Sequence, residues 1–227
     1  MTTPKVPRID LHVHSEFSPC SLDTSIQRIL PVAESRGLEK IAITDHGTES
    51  RPRWISNYFS GIERARRETS IDVLTGMEVN IDTDGTLAVH DDILRSLDVV
   101  IGAVHHLPIM EVVRKKSIFE EYRTILLRAL ETSSFMILAH PTALLWNKHI
   151  PEDVADDLTS RLRKKGVAVE MNYNHKDPPL EFLRRCVKAG VEITPSSDAH
   201  RLSDIGHFDW YEKQLAQLDE TVTWIRI

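Results

Sequence analysis

Residues 9–14 read IDLHVH, and the fold follows from how that hexapeptide is built. It is a short apolar run of strand-type residues that ends on two histidines two positions apart. The construction returns as KIAITDH at 40–46, VLTGMEV at 73–79, VVIGAVH at 99–105, MILAH at 136–140, VAVEMN at 167–172 and EITPSSDAH at 192–200. Most of these runs show little alternation of polar and apolar positions, as strands covered on both faces of a parallel sheet require. They predict strands at Ile9–His14, Lys40–Thr44, Val73–Val79, Val99–Val104, Met136–Ala139, Val167–Asn172 and Glu192–Ser197. Between them, helical patterns cover Ser25–Arg36, Arg53–Glu68, Ile118–Thr132, Pro151–Lys165 and Pro179–Ala189. Gly37, Gly166 and Gly190 follow three of these as stop signals, and Pro151 and Pro179 open two of them. Residues 80–90 differ: Asp84-Gly85 marks a turn, and a short element runs on through Leu97. Repeated βα units predict a parallel barrel or a doubly wound sheet.

The composition fits one soluble globule of 227 residues, with 41% hydrophobic and 27% charged residues, and residues 1–227 are expected to form a single domain. No apolar run approaches the ~20 residues of a membrane span. The opening MTTPKVPRID lacks the apolar centre of a secretion signal. Cys20 and Cys186 are too few for a disulfide framework, so a reducing, cytoplasmic setting is expected. Cys186 sits in a helix pattern and reads as core packing. A net charge of −6 lacks the basic footprint of a duplex nucleic-acid binder.

In a barrel, active sites form at the C-terminal ends of the strands. Those ends carry His12 and His14, Asp45 and His46, Glu78, His105, His140, Glu170 and Asn172, then Asp198 and His200. His-x-His at strand spacing sets both imidazoles on one face. Imidazole and carboxylate together suit zinc, iron or manganese. One such histidine alone reads as a hydrogen-bonded structural residue, but a polar residue at every strand end reads as a metal centre. Asp10 shares the parity of His12 and His14 and is expected to orient an imidazole. His90, His149, His175 and His207 lie outside the pattern and read as loop or surface residues.

The stretches IDLHVHSEFSPCS, IAITDHG, GMEVNI, VIGAVHH, LAHP, VEMN and SSDAH resemble, in this order, the PHP (polymerase and histidinol phosphatase) family. The middle of the chain is particularly similar to the PHP domain of bacterial family X DNA polymerases. The resemblance implies a distorted seven-stranded (βα)7 TIM-like barrel with a trinuclear metal centre. It assigns His12, His14, Glu78 and Asp198 to a first cation. Glu78 bridges to a second, which His105, favoured over His106, and His140 complete. His46 and His200 hold a third, with Cys20 at the position of its remaining ligand, where relatives often have histidine or aspartate. A thiolate there favours zinc or iron; the other reading of Cys20 is a small buried residue.

Two to three divalent cations (Zn, Mn or Fe) imply hydrolysis of a phosphate ester by a metal-bridging hydroxide. A small phosphomonoester such as histidinol phosphate or a nucleotide is the expected substrate. Asp45 is a candidate orienting residue or proton acceptor, and Arg201 a candidate phosphate contact. The other readings are an exonuclease-like phosphodiesterase acting on single-stranded DNA ends, and a non-catalytic metal-stabilised binding module. An amidohydrolase reading is disfavoured, because no lysine stands at a strand end. The alternating TVTWIRI at 221–227 reads as an extra edge strand or a partner contact.

Overall fold

A computed structural model describes residues 5–107, 118–145 and 149–227. The strands are β1 (Ile9–Val13), β2 (Lys40–Ile43), β3 (Asp72–Asn80), β4 (Val99–Ala103), β5 (Ile137–Leu138), β6 (Ala168–Asn172) and β7 (Ile193–Ser196). Each pairs in parallel with its sequence neighbour, in the order β1 to β7. The described helices are α1 (Ile26–Ser35), α2 (Ile55–Glu68), α3 (Asp91–Leu94), α4 (Ile118–Thr132), α5 (Glu152–Lys165), α6 (Leu180–Lys188) and α7 (Phe208–Leu215). This is the expected (βα)7 barrel. α7 lies beyond the helices that the sequence pattern predicts.

Two chain segments close the seam between β7 and β1. Past the end of β7, the Asp198 amide donates to the His12 carbonyl at 2.8 Å and the His14 amide to the Ala199 carbonyl at 3.1 Å. At the other end, Ile193 donates to Thr223 at 2.8 Å and accepts from Ile225 at 3.0 Å. Residues 223–225 thus pair with β7, and Ile225 packs on the barrel's inner cluster. That cluster contains Leu11, Ala42, Val99, Ile101, Ala103, Ile137, Ala139 and Ala168. A larger core lies between strands and helices, with Ile41, Ile43, Val73, Val169 and Ile193 facing Ile29, Ile62, Leu126, Leu158 and Leu183. Cys186 is buried in this outer core, as its helix pattern predicts.

β1 departs from simple alternation. Asp10 aligns with Ile41 but Val13 with Ile43, so three steps along β1 face two along β2. The extra residue is a β-bulge, a device common beside functional sites. It separates the parity of Asp10 from that of His12 and His14. Asp10 accordingly accepts the Ser197 amide at 2.9 Å and touches no imidazole. Burial raises its carboxyl to about 7, against the hydrogen bonds from Ser197 and His12. The expectation that Asp10 orients an imidazole is corrected by this bulge.

Two side chains of α2 hydrogen-bond the barrel: Arg66 Nε donates to the Val73 carbonyl at 2.7 Å, and the Tyr58 hydroxyl joins β2 to β3. Tyr58 is fully buried and donates towards the carbonyls of Ile43, at 2.7 Å, and Gly76, at 2.8 Å, while accepting the Gly76 amide at 2.7 Å. Gly76 has no room for a side chain: a Cβ there would meet Thr44 Cγ2 at 2.6 Å. Tyr58→Phe strands buried backbone groups of β2 and β3. The expected loss is about 1–3 kcal/mol of stability, seen as a lower denaturation midpoint at constant m value. An unchanged midpoint would show that the hydroxyl does not secure this contact.

Candidate metal centre

The C-terminal ends of the strands converge on one buried carboxylate. Glu78, on β3, has Oε1 at 2.9 Å from His140 Nε2 and 3.2 Å from His105 Nε2. Its Oε2 lies 3.0 Å from His46 Nδ1, 3.4 Å from His12 Nε2 and 3.5 Å from His14 Nε2. Asp198, after β7, is a second buried carboxylate, with Oδ1 3.2 Å from His14 Nε2 and 3.6 Å from His12 Nε2. Burial alone would raise both acids. The neighbouring imidazoles outweigh it, His12 foremost, and hold Glu78 and Asp198 well below the usual carboxylate range. Reciprocally, and against burial, the acids raise His12 and His140. Two buried carboxylates faced by several imidazole nitrogens are the setting in which a cation fits.

The imidazoles are held so that selected nitrogens face that point. His12 Nδ1 donates to Glu170 Oε1 at 2.8 Å. Its Nε2 is buried and has no hydrogen-bond partner, although two carboxylates lie beyond it. An unpartnered ring nitrogen in a buried site matches a metal ligand, and the carboxylate behind the ring is the usual support of one. His14 Nδ1 donates to Ser18 Oγ at 3.1 Å, which turns Nε2 towards Asp198 and Glu78. Ser18 in turn donates to Asp45 Oδ1 at 2.6 Å. Asp45 also accepts the Ser15 amide at 2.8 Å and the Ser15 hydroxyl at 2.6 Å. Asp45 is thus fully buried behind His14, a geometry that serves orientation of the ring. Arg201 is exposed, and its backbone amide donates to Asp204 Oδ2 at 3.1 Å.

The donors fall into overlapping groups. Within each, one ligand atom per residue lies within 4.8 Å of the others: His12, His14 and Asp198; Glu78, His105 and His140; His14, Cys20 and His46; and His140, His175 and Asp198. His200 stands beside the third group, its ring 4.6 Å from that of His14 and its Nδ1 donating to the Asp198 carbonyl at 2.8 Å. Burial opposes ionisation of Cys20, but hydrogen bonds with His200 and His46 outweigh it and lower the thiol to about 7. His46 is raised to about 10, against burial, by Cys20 and Glu78.

Glu170 and Asn172 support the centre from a strand end that the sequence marks, whereas Ser15, Ser18 and His175 lie outside that pattern. Glu170 and Asn172 point into the barrel from β6, where Glu170 Oε2 also accepts the His140 amide at 2.7 Å. Asn172 Nδ2 bridges Glu170 at 2.8 Å and Asp198 at 3.1 Å. Ser15 and Ser18 follow His14 in a turn that no apolar pattern marks. His175 is the clear correction. It is an exposed loop residue, as expected, but it is not remote from the centre: its Nε2 lies 3.3 Å from Asp198 Oδ2. Its place was hidden because it follows β6 by three positions, in a loop where strand parity no longer applies. His149 pairs with Glu181 at the surface, His90 accepts an amide at the start of α3, and His207 stacks on Tyr173.

Backbone strain is concentrated here. Among the described residues, the non-glycine positions with positive φ are His140 at 26°, Lys176 at 54° and Asp198 at 53°. Such conformations cost of order 1–3 kcal/mol each and persist where surrounding contacts enforce them.

The comparisons with known proteins agree with this arrangement. A PHP domain model matches residues 10–174. A probable phosphatase of Acetivibrio thermocellus is 29% identical over 222 residues, spanning 93% of this chain and 87% of that protein. The DNA polymerase/3'-5' exonuclease PolX of Bacillus subtilis is 28% identical over 210 residues, spanning 85% of this chain but 34% of that protein. Among solved structures, the histidinol phosphate phosphatase of Lactococcus lactis, crystallised with zinc, L-histidinol and phosphate, matches with a TM-score of 0.72 at 19% identity, covering 96% of both chains. At that identity the likeness is one of fold. The family match covers most of the sequence and spans strands that meet at the donor cluster, and on it the chain belongs to the PHP domain family.

Proposed function

We propose that residues 1–227 act as one PHP unit and that this unit is a metal-dependent phosphoric ester hydrolase acting on a small phosphomonoester. The observation that carries the reading is Glu78, buried within 3.5 Å of five imidazoles, with the unpartnered Nε2 of His12 aimed at it. Relatives spanning nearly the same length are named probable phosphatases, which supports a phosphatase. A zinc and phosphate complex in a protein of the same fold supports the metals and the substrate class.

In this reading His12, His14, Glu78 and Asp198 hold one cation, and Glu78, His105 and His140 a second. His46, His200 and Cys20 hold a third. Divalent zinc, manganese or iron supplies charge for the phosphoryl oxygens and lowers the pKa of a bound water towards ~7. The chain's own residues do the rest. Glu170 keeps the proton of His12 on Nδ1, so that Nε2 stays a ligand. Asp45, through Ser18, does the same for His14, which gives it a positioning role. Arg201 follows His200 at the mouth and is assigned to the substrate phosphate. The two buried carboxylates offset part of the cations' charge.

A second reading has one specific support, the similarity to PolX, a polymerase with 3'-5' exonuclease activity by its name. It makes single-stranded DNA ends the substrate. The chain's net charge of −6 weighs against it.

The test is metal content of the purified protein together with hydrolysis of p-nitrophenyl phosphate, histidinol phosphate, nucleotides and a short oligonucleotide, with and without added Mn, Zn or Fe. Chelator-sensitive turnover of a monoester is expected. Bound metal without turnover on any of these would favour a binding module. Three variants check the ligand scheme. Glu78→Gln should lose metal and turnover together. Cys20→Ser should lose one cation and keep two, counted by mass spectrometry. Glu170→Gln should keep the fold and weaken metal affinity by about 10–100-fold; affinity equal to wild type would remove Glu170 from the scheme.

A further inference from the structure

β5 is the shortest of the seven strands. Its ladder covers Ile137 and Leu138, and one further bond, from the Ala139 amide to the Gly102 carbonyl at 3.0 Å, ends it. His140 comes directly after that bond. Strand pairing therefore does not fix this residue, yet its ring is closely placed, with Nε2 2.9 Å from Glu78 Oε1. The backbone there is also unusual. His140 has φ of 26°, which side chains with a Cβ seldom adopt, and it precedes Pro141, a neighbour that favours extended backbone. Such a conformation persists only where contacts impose it.

The contacts that impose it come from three elements. On β6, Glu170 Oε2 accepts the His140 amide at 2.7 Å. On α4, the Tyr122 hydroxyl donates to the Pro141 carbonyl at 2.6 Å. In the loop after β6, the Asp177 carboxylate accepts the Thr142 amide at 2.9 Å and also the Thr142 hydroxyl. The remaining main-chain groups bond locally: the Ala143 amide donates to the His140 carbonyl at 3.1 Å, and the Leu145 amide to the Thr142 carbonyl at 2.9 Å. Every backbone donor and acceptor from the His140 amide to the Thr142 carbonyl thus has a partner, as buried main chain requires.

The Pro141 carbonyl and the Thr142 amide are the two edges of one peptide plane. Tyr122 and Asp177 hold that plane from opposite sides. Glu170 holds the plane before His140, and the proline ring restricts rotation between the two. With both planes fixed, the direction in which the His140 side chain leaves the backbone is fixed as well. Of the three supports, Tyr122 reaches the segment from the helical layer. It is buried in the core between strands and helices, and its hydroxyl bonds main chain rather than a metal-ligating side chain.

We propose that Tyr122 is a positioning residue of the metal centre. By holding the Pro141 carbonyl it keeps His140 at positive φ, with Nε2 aimed at the cation that Glu78, His105 and His140 hold in the reading above, on which this inference rests. Freed of the bond, the segment relaxes in part towards the extended backbone that a residue before proline prefers. The apparent affinity for that cation then falls with the fraction of molecules that keep the competent conformation. The other cations do not depend on this turn.

The test compares wild type, Tyr122→Phe and Ile125→Val. Phenylalanine keeps the ring and removes the hydroxyl alone. Ile125 is buried on the same helix, so trimming it disturbs the packing of α4 without removing a hydrogen bond. Circular dichroism of the metal-free proteins checks that all three are folded. Stepwise zinc affinities are read by competition with a chromogenic chelator, and kcat on a phosphomonoester is followed against free manganese. In Tyr122→Phe the affinity for one zinc should fall about tenfold, as for loss of an outer support of a ligand, with the others within about twofold of wild type. Ile125→Val should keep all of them within about twofold. Excess manganese should return the kcat of Tyr122→Phe to near the wild-type value, because the hydroxyl places a ligand and meets no substrate. The proposal is overturned by zinc affinities in Tyr122→Phe that all match wild type, by an equal loss in Ile125→Val, or by a kcat that stays low once every cation is bound. The two readings fail separately. A wild-type protein that binds zinc but hydrolyses no monoester defeats the phosphatase reading and leaves the zinc affinities to decide on Tyr122. A wild-type protein that binds no zinc defeats both.

Discussion

The constraint on which the molecule depends is the ionised Glu78 carboxylate in the interior of a barrel. A charge taken out of water is costly unless it is paired and hydrogen-bonded, and removing one partner of a buried pair leaves the other uncompensated. Five imidazoles from four strands answer this one acid. Each strand must therefore end at the right height and turn the right residue inwards. The apolar inner cluster below, built from Leu11, Ala42, Ile101, Ile137 and Ala168, supplies the floor and keeps water out from beneath. The barrel and the polar cluster are in this sense one object: the strands bring the donors together, and the donors make the buried acid tolerable.

Around that cluster runs a layer of fixed hydrogen bonds. Glu170 reaches the ring of His12 and the backbone of His140, so a single carboxylate on β6 sets two strands. Asp45 holds both Ser15 and Ser18, and with them the turn that follows His14. The left-handed backbones of His140 and Asp198 are held by the same network. Catalytic and binding groups need placement to within a fraction of an ångström, and this layer is what the structure devotes to that placement.

Much of this was written plainly in the sequence. Buried parallel strands need continuous apolar runs, so the seven strands stood out, and their polar ends named Glu78, Asp198 and the six histidines at 12, 14, 46, 105, 140 and 200. What stayed hidden has a common cause. The β1 bulge shifts parity within a single strand, and no local pattern of residues announces it, so Asp10 was expected among the imidazoles. His175 reaches Asp198 from a loop shaped by contacts to Ser196, Ser197, Asp177 and Asn172, partners that a one-dimensional pattern does not reveal. α7 is amphipathic but short, eight residues, and follows a stretch rich in polar residues. The segment at 221–227 shows alternation, yet its neighbour at Ile193 lies in another part of the chain.

The seam between β1 and β7 has a consequence for how the molecule comes to exist. His14 and Asp198 are 184 positions apart, and the hydrogen bonds that join their strands are among the most distant in the chain. Joining such remote segments carries a large loop-closure entropy, which contacts between neighbouring βα units do not. The intermediate strands can assemble progressively, each upon the last, with their apolar faces covered as they form. The donor set cannot, because it needs both margins of the sheet at once. High-affinity cation binding should therefore emerge only at the final step of folding, when the sheet curls shut, and a cation captured then acts as a clasp on the finished cylinder.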